Sequence, residues 1–300
     1  MREIYLIRHG MPDFPGGARM CLGRTDLPLG LRGRLQAALL GAELGEAGEC
    51  FCSGLIRSRQ TAELMGFASP VIIPGLEEMD AGDWDGLRFD EIRRRWPEYY
   101  ERRGRERSLP PPGGEEFGPA SRRFLTAVKR AAALSRGDII IVSHSSVIQT
   151  LLCTLEGRPF DCARDFELPY GSVTRLRADA SGQMELVSWG VPPRPELTAQ
   201  LAERLLEAAE LPEELREHSL AAAGAAMELV CALAAAGICL DETRVYAAAL
   251  LHDLAKGAPD HALAGAGLLS QLGYPELAPL VAKHNEPELG ADVDEALVVS

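Results

Sequence analysis

Ile4-Tyr5-Leu6-Ile7-Arg8-His9-Gly10 is the stretch that decides how this chain reads. Four apolar residues predict a first strand, and a cation, an imidazole and a glycine stand where it stops. In open α/β sheets, ligands bind outside the carboxyl ends of strands, and a glycine there lets the backbone approach closely. The combination predicts an anion site, with phosphate the expected anion.

Working outward, the chain alternates short apolar runs with amphipathic stretches as far as about Gly190, the pattern of a sheet with helices on both faces. Strands are predicted at Ile4 to Ile7, Glu49 to Cys52, Val71 to Ile73 and Asp138 to Val142. Helices are predicted at Leu31 to Glu46, Arg57 to Met65, Arg122 to Leu134 and from Ser143 through Leu155. Val173 to Arg177 and Met184 to Trp189, joined by Asp179-Ala180-Ser181-Gly182, predict a hairpin at the sheet edge. Between Trp84 and Gly118 lies a segment rich in arginine: Arg93-Arg94-Arg95, then Arg102, Arg103, Arg105 and Arg107. It is either a solvated helix and loop, or a cap over the strand ends that brings positive charge to an anionic substrate.

At 300 residues the chain exceeds one usual domain. Gly190-Val191-Pro192-Pro193-Arg194-Pro195 is the boundary, with 191–195 as a stiff Pro-rich linker between units at 1–190 and 196–300. Beyond it the punctuation predicts helices at Leu197 to Ala209, Glu214 to Ala236, Glu242 to Leu251, His261 to Leu272 and Pro275 to His284. The net charge of −13 sits wholly there: Glu196 to Ser300 holds five Lys plus Arg against eighteen Asp plus Glu, while the first 195 residues hold 26 of each. That excludes a broad basic face for nucleic acid. No apolar run is read as reaching transmembrane length, so a cytoplasmic protein with no membrane partner is expected. Seven cysteines without a Cys-x-x-Cys pair suit buried free thiols, and Cys50 and Cys52 share one face of a strand, where they are expected to pack.

Phe51 to Glu63 places Arg57 just after a strand end, and Val142-Ser143-His144-Ser145-Ser146 places a histidine after a late strand. If both strands run parallel to the first, Arg8, His9, Arg57 and His144 converge. Two guanidiniums can hold phosphate oxygens in fork geometry, and an imidazole among them can attack phosphorus or hold a proton. Here the chain resembles the histidine phosphatase superfamily, the phosphoglycerate mutase-like proteins. The matching pieces are Leu6 to Gly10, Gly23-Arg24-Thr25-Asp26-Leu27-Pro28-Leu29, Ser53 to Glu63, Leu76 to Gly86, Pro112-Gly113-Gly114-Glu115 and Val142-Ser143-His144, in family order over about 190 residues. The resemblance implies a three-layer α/β/α fold, no cofactor, and a phosphohistidine intermediate on His9. It gives Arg8, Arg57 and His144 the phosphoryl group and Glu78 the proton; Glu77 would take that place if the register were one residue off. Arg24 and Thr25 are carried over as substrate contacts. Met11 and Pro12 follow Gly10 where the family often has an acidic residue or Gln and then Thr. The short spacing between the Gly23 segment and His9 resembles the α-ribazole and broad-specificity phosphatases, which implies a small phosphorylated metabolite as substrate; a mutase is the alternative within the same chemistry.

In the helical region, His218 opens an alanine-rich helix and Leu250-Leu251-His252-Asp253-Leu254-Ala255-Lys256-Gly257 ends another. Two histidines and an aspartate suit a divalent cation with mixed nitrogen and oxygen ligands. This part resembles an HD domain, an all-α metal-dependent phosphohydrolase fold. The resemblance implies His218, His252 and Asp253 as metal ligands, Lys256 near a phosphate, and His261 and His284 as the extra histidines some members use for a second metal. The fourth ligand expected on a late helix has only Asp292 and Asp294 to draw on, and the apolar run ending at Ser300 is read as a chain cut short. The alternative is a regulatory module, with His252-Asp253 as a helix cap, that binds a phosphorylated ligand without turnover.

Overall fold

The computed structural model describes residues 1–45, 48–283 and 295–299. The chain divides into two units, Met1–Pro193 and Arg194–Ser300. In the first, six strands form one sheet: β1 (Arg2–Arg8), β2 (Glu49–Cys52), β3 (Val71–Ile72), β4 (Ile139–Ser143), β5 (Val173–Ala178) and β6 (Met184–Val191), in the order β3-β2-β4-β1-β5-β6. β1 to β4 are mutually parallel, and β5 and β6 run antiparallel as the edge hairpin. The last strand takes in Gly190 and Val191, so the first two residues of the proline-rich boundary segment are paired backbone. β4 is Ile-Ile-Ile-Val-Ser, buried at every position, because a central parallel strand has helices over both faces.

The helices of this unit are α1 (Leu31–Leu44), α2 (Ile56–Leu64), α3 (Phe89–Arg95), α4 (Pro97–Arg105), α5 (Phe117–Leu134) and α6 (Ser145–Leu155), of which α1, α2, α5 and α6 pack on the sheet. One face of the sheet, carrying Ile4, Leu6, Phe51, Ile139 and Ile141, packs with Phe124, Val128 and Leu151 of α5 and α6. The other carries Ile7, Cys50, Cys52, Ile140 and Val142 and packs with Leu40, Ala62 and Met65. Cys50 and Cys52 are therefore core side chains; burial pushes both thiols up, Cys52 to about 11, and all seven cysteines are free.

Register sets the site. Arg8 pairs with Ser143 across β1 and β4, and Cys52 with Val142 across β2 and β4, so the carboxyl ends of three central strands lie level. Gly10 answers a different demand from the one expected of it. A Cβ there would stand 2.3 Å from the Gly33 carbonyl oxygen, so the glycine admits the backbone of α1 rather than that of a ligand.

The second unit holds α7 (Ala199–Ala209), α8 (Glu213–Ala235), α9 (Glu242–Leu251), α10 (His261–Leu272), α11 (Ala278–Ala282) and α12 (Glu295–Val299). α8 corrects one sequence expectation. It is long and apolar enough, by length and composition, to cross a membrane, with a mean hydropathy of 1.5 in its most apolar window. It packs on α9 through a buried row of small residues, Ser219, Ala223, Ala226 and Val230.

Candidate functional site

His9 follows β1 directly, and its amide donates to Ser143 O at 3.0 Å, which ties it to the end of β4. Its Nδ1 lies 2.7 Å from the Gly10 carbonyl oxygen. A carbonyl only accepts, so Nδ1 carries the proton and Nε2 keeps its lone pair. Burial, then the positive charges of Arg57 and Arg8, hold the imidazole well below its ordinary range, so it is neutral at neutral pH.

Arg57 opens α2 and is 1% exposed. Its Nη2 and Nη1 donate to Gly23 O at 2.9 Å and Thr25 O at 2.8 Å, while Nε points at His9 Nε2 at 3.3 Å. Two backbone carbonyls thus fix the guanidinium plane. Arg8 is held differently: its Nη1 donates to Leu168 O, and its guanidinium carbon sits 3.6 Å from the centre of the Tyr170 ring. Gly171 N donates to both Arg8 O and His9 O, and Arg8 N to Ser172 O, so residues 168–172 grip this turn by backbone and side chain together.

His144 precedes α6, fully buried, with its ring 4.9 Å from that of His9. Ser53 Oγ lies 2.8 Å from its Nε2, and its Nδ1 is buried with no hydrogen-bond partner. Burial and the neighbouring cations keep it neutral as well. Glu78 accepts from Ser146 N and Val147 N, each at 3.0 Å, and from Met79 N at 2.9 Å, which seats it on the amino end of α6. Glu77 lies elsewhere, against Gly75 N at 2.8 Å and near Arg123 and Arg24 at 3.8 Å.

Arg8, His9, Arg57 and Glu78 line one cavity of about 510 Å³, and the fully buried His144 is not among its lining residues. Arg24 and Thr25, expected to contact substrate, are not among the residues that line it. Arg24 is exposed and turns toward Glu77, and Thr25 serves through its backbone: its amide donates to Asp85 at 2.8 Å and its carbonyl receives Arg57. The arginine-rich segment is split between its two readings. Arg95 pairs with Glu91, Arg102 with Glu106 and Arg107 with Asp165, all on the surface, whereas Arg103 of α4 lines the cavity. Tyr170, Arg19 and Arg164 also line it, and the sequence reading missed them. Tyr170 stands in Leu168-Pro169-Tyr170-Gly171-Ser172, just before β5, and carries no signal without the register that lays this turn beside Arg8.

The second unit gathers His218 of α8 with His252 and Asp253 at the end of α9, and one ligand atom from each lies within 4.8 Å of the others. His252 Nδ1 is 2.7 Å from Ala249 O, which puts its proton there and leaves Nε2 open, 3.2 Å from His218 Nε2. Two imidazole nitrogens so close, beside a carboxylate 1% exposed, form a donor set that fits a divalent cation. Lys256 Nζ and His261 Nε2 approach the same carboxylate at 3.0 and 3.3 Å. His284, Asp292 and Asp294 lie outside the described residues.

Parallel strand ends bring Arg8, Arg57 and an open imidazole nitrogen of His9 to one cavity of an α/β protein. The chain belongs to the histidine phosphatase superfamily (branch 1), which matches residues 4–192, and carries an HD domain at residues 215–300. It is 30% identical over 200 residues to a 2,3-bisphosphoglycerate-dependent phosphoglycerate mutase of Methylobacterium radiotolerans, covering 60% of this chain and 92% of that protein. Among solved structures it is similar to Bacillus stearothermophilus YhfR, with a TM-score of 0.57 and 30% identity over 64% of this chain and 98% of the other. An α-ribazole phosphatase from Shigella flexneri follows at a TM-score of 0.55 and 26% identity, covering 63% and 96%.

Proposed function

We propose that residues 1–190 act as a phosphomonoester phosphatase on a small phosphorylated metabolite through a phosphohistidine on His9. The observation that carries this is the His9 tautomer: Nδ1–H is committed to Gly10 O, and the free lone pair of Nε2 sits beside a guanidinium fixed by two carbonyls. His9 Nε2 attacks phosphorus, the N–P bond forms, the ester P–O bond breaks, and the leaving oxygen takes a proton from the Glu78 carboxyl. Water then attacks phosphorus and gives a proton to Glu78, the N–P bond breaks, and inorganic phosphate leaves with His9 restored. Arg8 and Arg57 offset charge on the phosphoryl oxygens, which is most of what such a transfer requires. A phosphoryl oxygen would also give the buried Nδ1 of His144 the partner it lacks.

Turnover of p-nitrophenyl phosphate in chelator, lost in His9→Ala, together with an acid-labile label on His9 after mixing with substrate, is the expected result. Activity unchanged in His9→Ala would sink the reading. Similarity to a mutase favours a second outcome: exchange of the phosphoryl group between carbons of phosphoglycerate without net release of phosphate.

For residues 196–300 we infer that His218, His252 and Asp253 hold a divalent cation, which when bound would supply a Lewis acid for phosphate chemistry. Asp253 brings the negative charge, and the Ala249 carbonyl orients His252. Elemental analysis of the full chain is expected to find about one divalent ion per chain, and none at this site in His252→Ala. Equal metal content in both would remove the assignment.

A further inference from the structure

Arg57 is aimed at His9 by the loop it leans on, and that loop is held from behind by one carboxylate. Asp85 accepts from three successive backbone amides: Gly23 N at 2.7 Å through Oδ1, then Arg24 N at 2.9 Å and Thr25 N at 2.8 Å through Oδ2. Successive amides turned to one side make a nest for an anion, and here the anion is a side chain of the same protein. The peptide unit between Gly23 and Arg24 is engaged at both ends. Its N–H donates to Asp85, and its carbonyl, Gly23 O, accepts from Arg57 Nη2 at 2.9 Å. The same guanidinium donates from Nη1 to Thr25 O at 2.8 Å and from Nε to His9 Nε2 at 3.3 Å. A carboxylate, a peptide, a guanidinium and an imidazole thus stand in one hydrogen-bonded line, in which each link polarises the next. Asp85 is itself fixed by backbone: Gly86 N donates to Cys21 O at 2.8 Å and Cys21 N to Leu87 O at 2.9 Å. Gly86 lets the two segments close, since its φ is +75° and a Cβ there would stand 2.9 Å from Thr25 Oγ1.

We propose that Asp85 is a positioning residue for the phosphoryl transfer, acting through the carbonyls of Gly23 and Thr25 to hold the Arg57 guanidinium in line with His9. The inference rests on the phosphatase reading and deepens it. Asp85 is not among the residues that line the cavity, so its part is played through Arg57 and not on substrate. Its charge is felt at Arg57 all the same. Burial draws that guanidinium below its ordinary range, and the negative charges of Glu78, Asp26 and Asp85 work against the shift. Asp26 is the nearer carboxylate in sequence to this loop, but it does not aim the group: its Oδ1 accepts from Ile56 N at 2.7 Å and lies 3.9 Å from Arg57 Nη1, beyond hydrogen-bond length. Asparagine at position 85 would keep the shape of the side chain and present N–H groups where the nest needs an acceptor, leaving at least one backbone amide facing a donor.

The test is a double-mutant cycle on the full chain, read as kcat/KM for p-nitrophenyl phosphate, with His9→Ala as the reference for the reaction itself. Asp85→Asn should lower kcat/KM by about 10- to 100-fold, the scale of a small misplacement of a positioned group. In a chain already carrying Arg57→Lys, the same substitution should cost less than about twofold, because the group that Asp85 aims is gone. A merely structural role gives the same loss in both backgrounds, and equal losses overturn the proposal. So does Asp85→Asn activity within about twofold of the parent. Should Asp85→Asn fail to fold, Asp85→Glu takes its place in the cycle, since it keeps the charge and both acceptor oxygens but moves them by about one methylene. A loss confined to the chain with Arg57 supports the proposal; an equal loss in both backgrounds, or none in either, overturns it. Activity lost in His9→Ala beside an additive cycle removes the role of Asp85 and leaves the phosphatase intact. Activity unchanged in His9→Ala removes the phosphatase reading and this inference with it.

Discussion

Replacing Arg57 by lysine separates charge from geometry at the site. The arginine is 1% exposed, and its guanidinium reaches Gly23 O, Thr25 O and His9 Nε2 from three different nitrogens. A lysine keeps the positive charge but has one nitrogen on a flexible stem, so it can serve about one of the three acceptors. Two hydrogen bonds from a charged donor are lost, at about 1.5 kcal/mol each on the low side, or ~3 kcal/mol. For a unit of this size, about 2–4 °C per kcal/mol puts the loss in melting temperature at about 6–12 °C. The three tryptophans, Trp84, Trp96 and Trp189, all lie in the first unit, so tryptophan fluorescence follows that unit alone. The phosphoryl group also loses a fork aligned with His9, and kcat/KM should fall by about 100-fold, as for removal of a preorganised donor. A variant that melts within about 2 °C of the parent and keeps kcat/KM within about threefold would refute the claim that the two carbonyls position this group.

Glu78→Gln should cost about 10² to 10⁴ in kcat on an alkyl phosphate, whose leaving oxygen needs a proton, and far less on p-nitrophenyl phosphate, whose leaving group does not. Equal losses on both would remove the acid role. Tyr170→Ala unstacks Arg8 and should weaken inhibition by inorganic phosphate by about 5- to 30-fold, with Tyr170→Phe close to the parent, since the ring supplies the contact; a phenylalanine variant as weak as alanine would contradict this. His9 and His144 have folded pKa values pushed well below 6.5, so below pH 6.5 the unfolded chain binds more protons than the native state. Stability is therefore complete above pH 6.5 and falls as pH drops toward the folded values, by up to about 1.4 kcal/mol per pH unit for each histidine. Urea midpoints by tryptophan fluorescence at pH 7.5 and 5.5 check it, and equal midpoints would contradict the buried neutral pair.

Much of the first unit was legible because its signals are local. Continuous apolar runs at 4–7 and 139–142 can be buried strands, and a cation or imidazole directly after such a strand is carried to the sheet's carboxyl edge whatever surrounds it. The choice between Glu77 and Glu78 was not local. It depends on which carboxylate faces the amino end of α6, nearly seventy residues on, and only tertiary structure seats Glu78 there. Arg24 and Thr25 show the same limit from the other side. Their segment matters to the site, but through the carbonyls of Gly23 and Thr25, and a backbone acceptor leaves no mark in residue type. Within the arginine-rich segment, only the helical phase of α4 separates Arg103, over Trp84, from Arg102, paired outward with Glu106.

The charge distribution shows why the cavity arginines count as a device rather than a by-product of composition. The first 195 residues are neutral, with 26 basic and 26 acidic side chains, so nothing in the overall balance demands five arginines on one concave wall with a single carboxylate. The acids of this unit are spent outside the cavity: Glu3 on Arg175 and Arg177, Glu115 on Arg123, Asp165 on Arg107 and Arg158. Charge is thus sorted by place. A neutral unit with five arginines and one carboxylate on a concave wall focuses a positive field there. Salt separates this arrangement from a generally basic surface. The affinity of inorganic phosphate at the buried Arg57 and half-buried Arg8 should weaken only modestly between low and physiological ionic strength, because buried charges are screened much less than exposed ones. A collapse of affinity with salt, as for binding to exposed lysines and arginines, would place the ligand on the surface and not in the cavity.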